Sequence, residues 1–267
     1  MNKIGIIGCG NMGGAIATAL STKKDWEVSL YDSDADRATG LAIELDCLST
    51  SSLEELLKTN QYILLAVKPQ VLPSLYPILS KNASSKYWIS IAAGIPLSVL
   101  SEKLGTQNIV RFMPNIAAKT KKAVTAIATC VKADKELSDS AMEIATSFGS
   151  AFALPESQFA AFIGISGSAI AYAFQFFHAL AMGGVEEGIP YPTALAIARD
   201  TCISAATLQQ ETGKGAVELA TMVCSAGGTT IKGMKALATG GFDATVMSAV
   251  SAAASKSREL EELAKKN

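Results

Sequence analysis

The first half of the chain alternates short apolar runs with amphipathic or alanine-rich stretches. The apolar runs have the length and the β-branched content of buried strands, and they lie at residues 3–7, 27–31, 62–67, 87–92, 108–112 and 124–130. The stretches between them predict helices at residues 11–21, 34–45 and 135–148, with another between Pro96 and Gly105. Ser51–Glu54 resembles a capping box that opens a short helix. This alternation indicates βαβ units and a doubly wound, mostly parallel sheet.

Strand signals end near Pro155, and the rest of the chain predicts helices only. We therefore expect an α/β domain over residues 1–155 and an all-helical domain over residues 156–267. The stretch from Ser157 to Val185 contains no charged residue, and it is longer than the roughly 18 residues that a membrane span needs. The flanking Glu156 and Glu186 give no positive-inside signal, and the small residues suit close helix packing. A helix buried in a subunit interface is the preferred interpretation, and a membrane span is the alternative.

Composition narrows the classes of function. The 23 basic and 24 acidic residues give a net charge of −1, which argues against a nucleic-acid partner. A single histidine, His178, excludes a multi-histidine metal site, and we expect no metal. The 5 cysteines are scattered without a CxxC pair, which favours a reduced, cytoplasmic setting. The first apolar run is too short for a signal peptide.

A glycine-rich loop lies between the first predicted strand and the first predicted helix. Gly8, Gly10 and Gly13 have the GxGxxG spacing, and the context on both sides is that of a dinucleotide-binding turn. Gly8 permits the tight turn, Gly10 lets a pyrophosphate approach the backbone, and Gly13 lets the helix pack on the sheet. The loop therefore predicts a nicotinamide dinucleotide as cofactor, and a glycine turn without ligand is the alternative.

Asp32 lies at the end of the second strand and bears on the choice of cofactor. A carboxylate there accepts hydrogen bonds from the adenosine ribose and repels a 2′-phosphate, which favours NADH over NADPH. Ser33 and Asp34 follow, and Arg37 is the nearest basic residue. In the alternative interpretation, Asp32 or Asp34 only caps the next helix.

Other candidate residues follow strands at the carboxyl edge of the sheet, where the cofactor crevice of such folds lies. Asn115 follows the fifth run, and a group of four residues closes the third, namely Ala66, Val67, Lys68 and Pro69. Lys68 is equally well explained as a cofactor contact or as a solvated charge.

A second glycine cluster lies between two helical stretches in the C-terminal half. Gly227 and Gly228, followed by Thr229 and Thr230 at a helix start, predict a nest of backbone N–H groups for a carboxylate. Ser225 adds a hydroxyl, and we expect a positive φ at Gly228. An ordinary helix–helix turn with a threonine cap is the alternative.

The order of these motifs resembles the pyrroline-5-carboxylate reductase family along nearly the whole chain. The shared segments run in order through residues 8–16, 66–69, 92–94, 110–115, 166–168, 225–230, 240–242 and 257–260. The resemblance implies a Rossmann domain, a helical dimerisation domain, dimers that assemble into rings, and reduction of 1-pyrroline-5-carboxylate to L-proline with NAD(P)H. The resemblance favours NADPH as the cofactor. It also adds Asn11, Met12, Ser33 and Ala93 to the cofactor set and makes Thr230 the hydrogen-bond donor near the imine nitrogen.

Three departures from the family pattern bear on substrate fit. Ala169-Ile170 replaces Gly-Pro, Ala226 replaces proline, and Ile116-Ala117 replaces Thr-Pro. The other functions considered are a related dehydrogenase or imine reductase with another small carboxylate substrate, and a dinucleotide sensor without turnover. A 3-hydroxy acid dehydrogenase is disfavoured because residues 164–178 contain no lysine. Orienting imine and nicotinamide requires little acid–base machinery. His178 lies in an apolar helical stretch, so we expect a packed, hydrogen-bonded core residue, and a catalytic histidine is the alternative.

Overall fold

The computed structural model describes residues 1–265, which form two compact units. The first unit contains residues 1–167 and the described residues from 253 onward, and the second contains Ser168–Ala252. The compact division therefore falls after residue 167, later than the sequence boundary at 155. It also assigns the end of the last helix to the first unit.

The first unit is built on an eight-stranded sheet with the order β3-β2-β1-β4-β5-β6-β7-β8. The strands are β1 Asn2–Ile7, β2 Trp26–Tyr31, β3 Leu48–Ser49, β4 Tyr62–Leu65, β5 Tyr87–Ser90, β6 Ile109–Pro114, β7 Ala123–Thr129 and β8 Gly149–Ala153. All neighbours pair in parallel except β6 and β7, which form an antiparallel hairpin. The predicted doubly wound, mostly parallel sheet is confirmed, and β3 and β8 are additions to it.

Helices cover both faces of this sheet, so each face has its own apolar core. The helices are α1 Asn11–Leu20, α2 Ala35–Leu45, α3 Leu53–Thr59, α4 Leu72–Lys81, α5 Leu97–Leu104, α6 Lys135–Ser147 and α7 Phe159–Phe162. α1, α2 and α6 contribute to the core that contains Ile4, Ile6 and Leu30. α3, α4 and α5 contribute to the core that contains Ile63, Leu65 and Trp88. The sheet is therefore packed on both of its faces.

Two helix ends test the local predictions. The capping box is shifted by one residue, because the Ser52 hydroxyl accepts from the Glu55 amide at 3.2 Å and caps α3. The Glu55 carboxylate in turn accepts from the Ser51 amide at 2.9 Å. Gly105 ends α5 with φ +71°, as the sequence predicts.

The second unit is helical, with α8 Ala169–Glu186, α9 Tyr191–Thr212, α10 Ala216–Val223, α11 Thr229–Thr239 and the first part of α12 Phe242–Lys265. α8 and α9 pack closely at Gly184, where an added Cβ would lie 3.1 Å from the Ala194 Cβ. The Tyr172 hydroxyl donates to the Ala249 carbonyl at 3.2 Å and joins α8 to α12. Within one chain, few residues of this unit are buried, and large apolar side chains such as Phe174 and Met247 are exposed.

The uncharged stretch is several helical segments rather than one regular helix. α7 buries Phe159 and Phe162 in the core of the first unit, a π-helical turn follows over Ile163–Gly167, and α8 buries only Ala181. By length and composition, Glu156–Glu186 could cross a membrane, and it is one such stretch among the described residues. The burial of Phe159 and Phe162 in the core of the first unit favours a packed helical segment at the start of this stretch.

Candidate functional site

The predicted cofactor residues follow five neighbouring strands along one edge of the first unit. Asp32 follows β2, Gly8 follows β1, Ala66 follows β4, Ala93 follows β5 and Asn115 follows β6. Because these strands are parallel neighbours, their carboxyl ends form one continuous edge. The chain connections that leave β1 and β4 run to opposite sides of the sheet. Open α/β sheets bind their ligands at such a switch point.

In the glycine loop, a different feature of the structure explains the choice of glycine at each of the three positions. Gly8 has φ +101°, and a Cβ there would lie 2.7 Å from the Ala66 carbonyl oxygen. At Gly13 a Cβ would collide with the Gly8 carbonyl oxygen and lie 2.9 Å from the Ala66 Cβ. At Gly10 a Cβ would meet nothing within 4 Å, and φ is an ordinary −71°. The protein itself therefore requires glycine at 8 and 13, whereas glycine at 10 leaves room for a ligand.

The start of α1 offers hydrogen-bond donors to that ligand. Gly10 is the N-cap without a side-chain cap, and the first turn contains no acidic residue. The amides of Asn11, Met12 and Gly13 precede the first intrahelical bonds and point out of the helix end. These donors, the helix dipole and the open space at Gly10 fit the diphosphate of a nicotinamide dinucleotide.

Asp32 is anchored beside the glycine loop, with its side chain 7% exposed. Its Oδ2 accepts from the Cys9 amide at 2.7 Å, and its Oδ1 accepts from the Asp34 amide at 3.0 Å. Burial alone would raise the pKa of Asp32, but these amides and the Arg37 guanidinium outweigh it and lower the pKa below its usual value. Asp32 is therefore a fixed anion at neutral pH.

The helix cap is Asp34. Its Oδ1 accepts from the Arg37 amide at 3.2 Å at the start of α2. The Arg37 guanidinium lies 3.3 Å from Asp32 Oδ1 and 2.9 Å from Asp34 Oδ2. Of the two aspartates proposed as caps, Asp34 thus has the structural role, and Arg37 is shared between both carboxylates. Ser33 is exposed, and its hydroxyl lies 3.5 Å from Asp32 Oδ1.

Asn115 is buried, and its amide is engaged within the protein. Its Oδ1 accepts from the amides of Ala117 at 3.2 Å and Val124 at 3.3 Å. Its Nδ2 donates to the Ser166 hydroxyl in the π-helical turn at 3.2 Å. These bonds hold the β6–β7 connection against the helical segment that precedes α8. Asn115 therefore shapes the edge of the site through its neighbours.

The remaining edge residues differ in exposure. Ala66 and Val67 pack beneath Gly8, whereas Lys68 and Ala93 are exposed. Lys68 begins the turn at Pro69–Val71 and has no ion pair with any other residue described. Both explanations of Lys68 thus stay open.

The second glycine cluster is a tight turn at the start of α11 in the helical unit. The Gly228 amide donates to the Ser225 carbonyl at 3.1 Å, and Gly228 is the N-cap of α11. The expectation of a positive φ at Gly228 is wrong, because φ is −73° there and +70° at Gly227. Gly228 is instead required by closeness, since a Cβ would collide with the Ser225 hydroxyl.

Several polar groups of this turn have no partner among residues 1–265. The amides of Thr229 and Thr230 lie in the first turn of α11, which has no side-chain cap and no acidic residue. Among the residues described, the hydroxyls of Ser225, Thr229 and Thr230 have no hydrogen-bond partner. The turn can therefore direct several N–H and O–H donors at one carboxylate.

His178 is hydrogen-bonded but not buried in the single chain. Its Nδ1 lies 3.0 Å from the Tyr191 hydroxyl at the start of α9, and its side chain is exposed. The expectation of a core histidine is therefore corrected for this chain. Within residues 1–265, no cluster of three or more His, Cys, Asp or Glu could hold a metal ion.

Three polar features of the first unit were not singled out from the sequence. Arg111 is fully buried and paired with two glutamates, Ser166 bonds to Asn115, and Lys119 and Lys121 line a cavity with the glycine loop. For the lysines a signal was present, because Lys119-Thr-Lys121-Lys122 lies shortly after Asn115 in the sequence. Arg111 and Ser166 lie in segments shared with the family, but nothing in the sequence indicated their buried partners, since a buried arginine in an apolar strand is rare.

A dinucleotide-binding sheet with this glycine loop and carboxylate, followed along the chain by a helical unit, defines a nicotinamide-dependent oxidoreductase. Residues 3–94 match the family described as "NADP oxidoreductase coenzyme F420-dependent", and residues 156–260 match "Pyrroline-5-carboxylate reductase dimerisation". The chain belongs to the pyrroline-5-carboxylate reductase family and carries its dimerisation domain, which supports assembly as a homo-oligomer.

Individual relatives agree over nearly the whole length. The pyrroline-5-carboxylate reductase of Methanosarcina acetivorans is 38% identical, with 97% of each chain covered. The structure of a pyrroline-5-carboxylate reductase from Coxiella burnetii superposes with a TM-score of 0.91 at 26% identity, covering 96% of this chain and 97% of the other. The Plasmodium falciparum pyrroline carboxylate reductase, solved with NADP bound, has a TM-score of 0.84 at 26% identity, with 97% and 98% covered.

Proposed function

We propose that this chain reduces 1-pyrroline-5-carboxylate to L-proline with NAD(P)H, the last step of proline biosynthesis. The observation that carries the proposal is the glycine loop, in which Gly10 alone is free of any steric demand from the protein. A dinucleotide explains that opening, and membership of the family supplies the substrate class. When bound, the reduced nicotinamide supplies the hydride that the imine carbon accepts.

The cofactor is held by groups from the edge of the sheet. The amides of Asn11, Met12 and Gly13 bind the diphosphate, and Ala66, Val67, Pro69 and Ala93 form the apolar floor and wall. Asp32 accepts from the adenosine ribose, because its carboxylate is ionised and anchored. The same charge opposes a 2′-phosphate, so we propose that both cofactors are used and that NADH competes with or exceeds NADPH.

The substrate carboxylate is held by the turn before α11. The Ser225 hydroxyl and the amides of Thr229 and Thr230 donate to it, and Gly227 provides the positive φ that the turn needs. The Gly228 amide, which we expected to be a further donor, is instead bonded to the Ser225 carbonyl, so Gly228 shapes the turn. Holding the carboxylate orients the five-membered ring, and orientation of two bound reactants lowers the barrier by as much as roughly 7–11 kcal/mol in favourable cases.

The Thr230 hydroxyl donates a hydrogen bond near the imine nitrogen as the nitrogen gains electron density. A threonine hydroxyl is too weak an acid to transfer its own proton at neutral pH. Its role is therefore to polarise the imine or to relay a proton from water. This assignment needs no histidine, which agrees with His178 being bonded to Tyr191.

The assembly we propose is a homodimer that builds larger rings through the helical domain. Exposed apolar residues of α8 to α12, including Phe174 at 63% and Met247 at 70%, supply a surface that a second copy would cover. A cytoplasmic protein without nucleic-acid or membrane partners fits the near-neutral charge. Sedimentation at micromolar concentration tests the assembly, and a monomer would contradict it.

Steady-state consumption of NADH and NADPH with 1-pyrroline-5-carboxylate tests the activity. We expect turnover that depends on both substrate and enzyme, with proline as the product detected by mass spectrometry. A related cyclic imine without the carboxylate is the control, and it should react poorly. Cofactor binding without consumption would instead favour a dinucleotide sensor.

A further inference from the structure

Two lysines from the β6–β7 connection line the same cavity as the glycine loop. The cavity has a volume of 390 Å³, and its wall includes Gly10, Asn11, Arg37, Lys119 and Lys121. Among the residues that the structure describes, no Asp or Glu lines it. The opening before α1 is thus bordered by positive charge from two separate parts of the chain.

The charges on this wall are not equivalent. Arg37 is held by Asp32 and Asp34, so its charge is already compensated. Lys119 and Lys121 are exposed, and neither has an ion pair with another residue in the described part of the chain. The uncompensated positive charge of the cavity therefore belongs to these two lysines. This charge favours the binding of an anion in the cavity.

The connection that carries the lysines is an ordered turn. Asn115 Oδ1 accepts from the Ala117 amide at 3.2 Å at its start, and the Lys121 amide donates to the Ala118 carbonyl at 3.0 Å at its end. Lys121 has φ +57°, a left-handed conformation that is uncommon and unfavourable for a residue with a side chain. This conformation places Lys121 at the cavity, whereas its neighbour Lys122 does not line it.

We infer that Lys119 and Lys121 bind the pyrophosphate of the dinucleotide, together with the first-turn amides of α1. The inference rests on the proposed function only in that the ligand is a nicotinamide dinucleotide. A lysine ammonium is a compact charge suited to phosphate, and the helix end supplies the directional donors. Arg37, which contacts Asp32, would be the basic residue nearest a 2′-phosphate, whereas the lysines would act on a group that NADH and NADPH share.

The test is equilibrium binding of three probes to the full-length protein: ADP-ribose, NADH and NADPH. The variants are Lys119→Gln, Lys121→Asn and their double, since asparagine tolerates the left-handed conformation. Lys122→Gln is the matched control, because it removes the same charge from the same turn. We expect about fivefold weaker binding of each probe for each single variant and more than tenfold for the double. Lys122→Gln should change little, and higher salt should reduce the difference.

Two outcomes would overturn the inference. Loss of affinity for NADPH alone, with ADP-ribose and NADH unchanged, would assign the lysines to the 2′-phosphate. Equal effects of the double variant and of Lys122→Gln would show only a general charge effect. Because ADP-ribose has no nicotinamide and binding requires no turnover, these results are independent of whether the chain reduces 1-pyrroline-5-carboxylate.

Discussion

Arg111 on β6 and Glu261 on α12 are 150 residues apart in the sequence and form an ion pair, with 2.8 Å between Arg111 Nη2 and Glu261 Oε1. Arg111 Nη1 lies 2.8 Å from Glu156 Oε1, which also accepts from the Leu97 amide at the start of α5. The guanidinium carbon lies 5.1 Å from the centre of the Phe159 ring. One fully buried cation thus ties the last helix to the strand that leads to Asn115.

We expect Arg111→Met to destabilise the protein strongly. The methionine fills part of the space, but Glu156 and Glu261 lose their shared counter-charge, and breaking a buried pair on one side typically costs about 3–5 kcal/mol. Urea unfolding of wild type and variant measures the difference in the free energy of unfolding. Lys256→Met on α12 is the control, because its pair with Glu259 is exposed and should contribute little. An equal effect of both substitutions would contradict a special role for Arg111.

The sequence predicted the parts of this fold that depend on local pattern. The glycine loop, its flanking strand and helix, and Gly105 at a helix end each follow from backbone requirements of a few neighbouring residues. The Arg111 network could not be predicted, since its partners lie 45 and 150 residues away. β3 was missed because it has only 2 residues, both exposed, and β8 was missed because its 5 residues are exposed or half-buried and form no apolar run.

The candidate site, like the fold, was predictable where it depends on local sequence pattern. Asp32 could be placed from its distance to Gly8, but its bonds to Cys9, Asp34 and Arg37 depend on how β1, β2 and α2 meet. The prediction of a positive φ at Gly228 was wrong. The turn that closes around Ser225 decides which residue of the glycine pair is left-handed, and that residue is Gly227. The exposure of His178 could not be deduced from the sequence either. An apolar helix has the same sequence pattern whether it packs on its own chain or on a partner subunit.

The two glycines at 10 and 13 should respond in opposite ways to alanine. Gly13→Ala places a methyl group against the Gly8 carbonyl and Ala66, so we expect a lower melting temperature. Gly10→Ala meets no protein atom, so the variant should fold normally and bind NADH more weakly, by about tenfold or more. Thermal unfolding and NADH titration separate the two effects. A Gly10→Ala protein with unchanged affinity would remove the pyrophosphate from this position.

The turn before α11 gives a prediction about the substrate. We expect Thr230→Ala to slow turnover, because the hydrogen bond near the imine nitrogen is lost, with a smaller change in cofactor affinity. Gly228→Val should nearly abolish substrate binding, because the side chain would displace the Ser225 hydroxyl and intrude on the anion nest. Kinetics with 1-pyrroline-5-carboxylate and circular dichroism of each variant are the measurements. A folded Gly228→Val protein with normal substrate affinity would exclude the nest from the mechanism.

Cysteine labelling tests the electrostatics of the glycine loop. Burial, Asp32 and Cys47 raise the pKa of Cys9 to about 12, although the Arg37 charge lowers it. Burial and Glu156 raise the pKa of Cys130 to about 11. A raised pKa keeps the thiol protonated, so at pH 8 the reactive thiolate of Cys9 is about one part in ten thousand. Iodoacetamide followed by peptide mass spectrometry should leave both residues unmodified in folded protein and label both in urea. Rapid labelling of folded Cys9 at pH 8 would contradict this environment.

The carboxylate of Asp32 leads to a prediction about cofactor preference. It is held in place by two backbone amides, and it stays ionised at every pH at which the enzyme would be assayed. A 2′-phosphate at about 4 Å from such a charge is repelled by roughly 4 kcal/mol at an effective dielectric near 20, before screening by salt. Arg37 offsets this only in part, because Asp34 also holds it.

We therefore expect wild-type protein to use NADH at least as well as NADPH, and Asp32→Asn to shift the ratio of kcat/KM values towards NADPH by tenfold or more. The asparagine oxygen can still accept from the Cys9 amide, so the loop should keep its shape while losing the charge. Asp36→Asn on α2 is the matched control, because it removes an exposed carboxylate one residue from Arg37 and should leave the ratio within about twofold. Because the pKa of Asp32 is lowered and a 2′-phosphate has its own second pKa near about 6, the ratio for wild type should not change between about pH 7.5 and 9, whereas a carboxyl that titrated there would shift it towards NADPH as the pH falls. Strong preference of the wild type for NADPH, unmoved in Asp32→Asn, would show that Asp32 only holds the glycine loop and Arg37 in place.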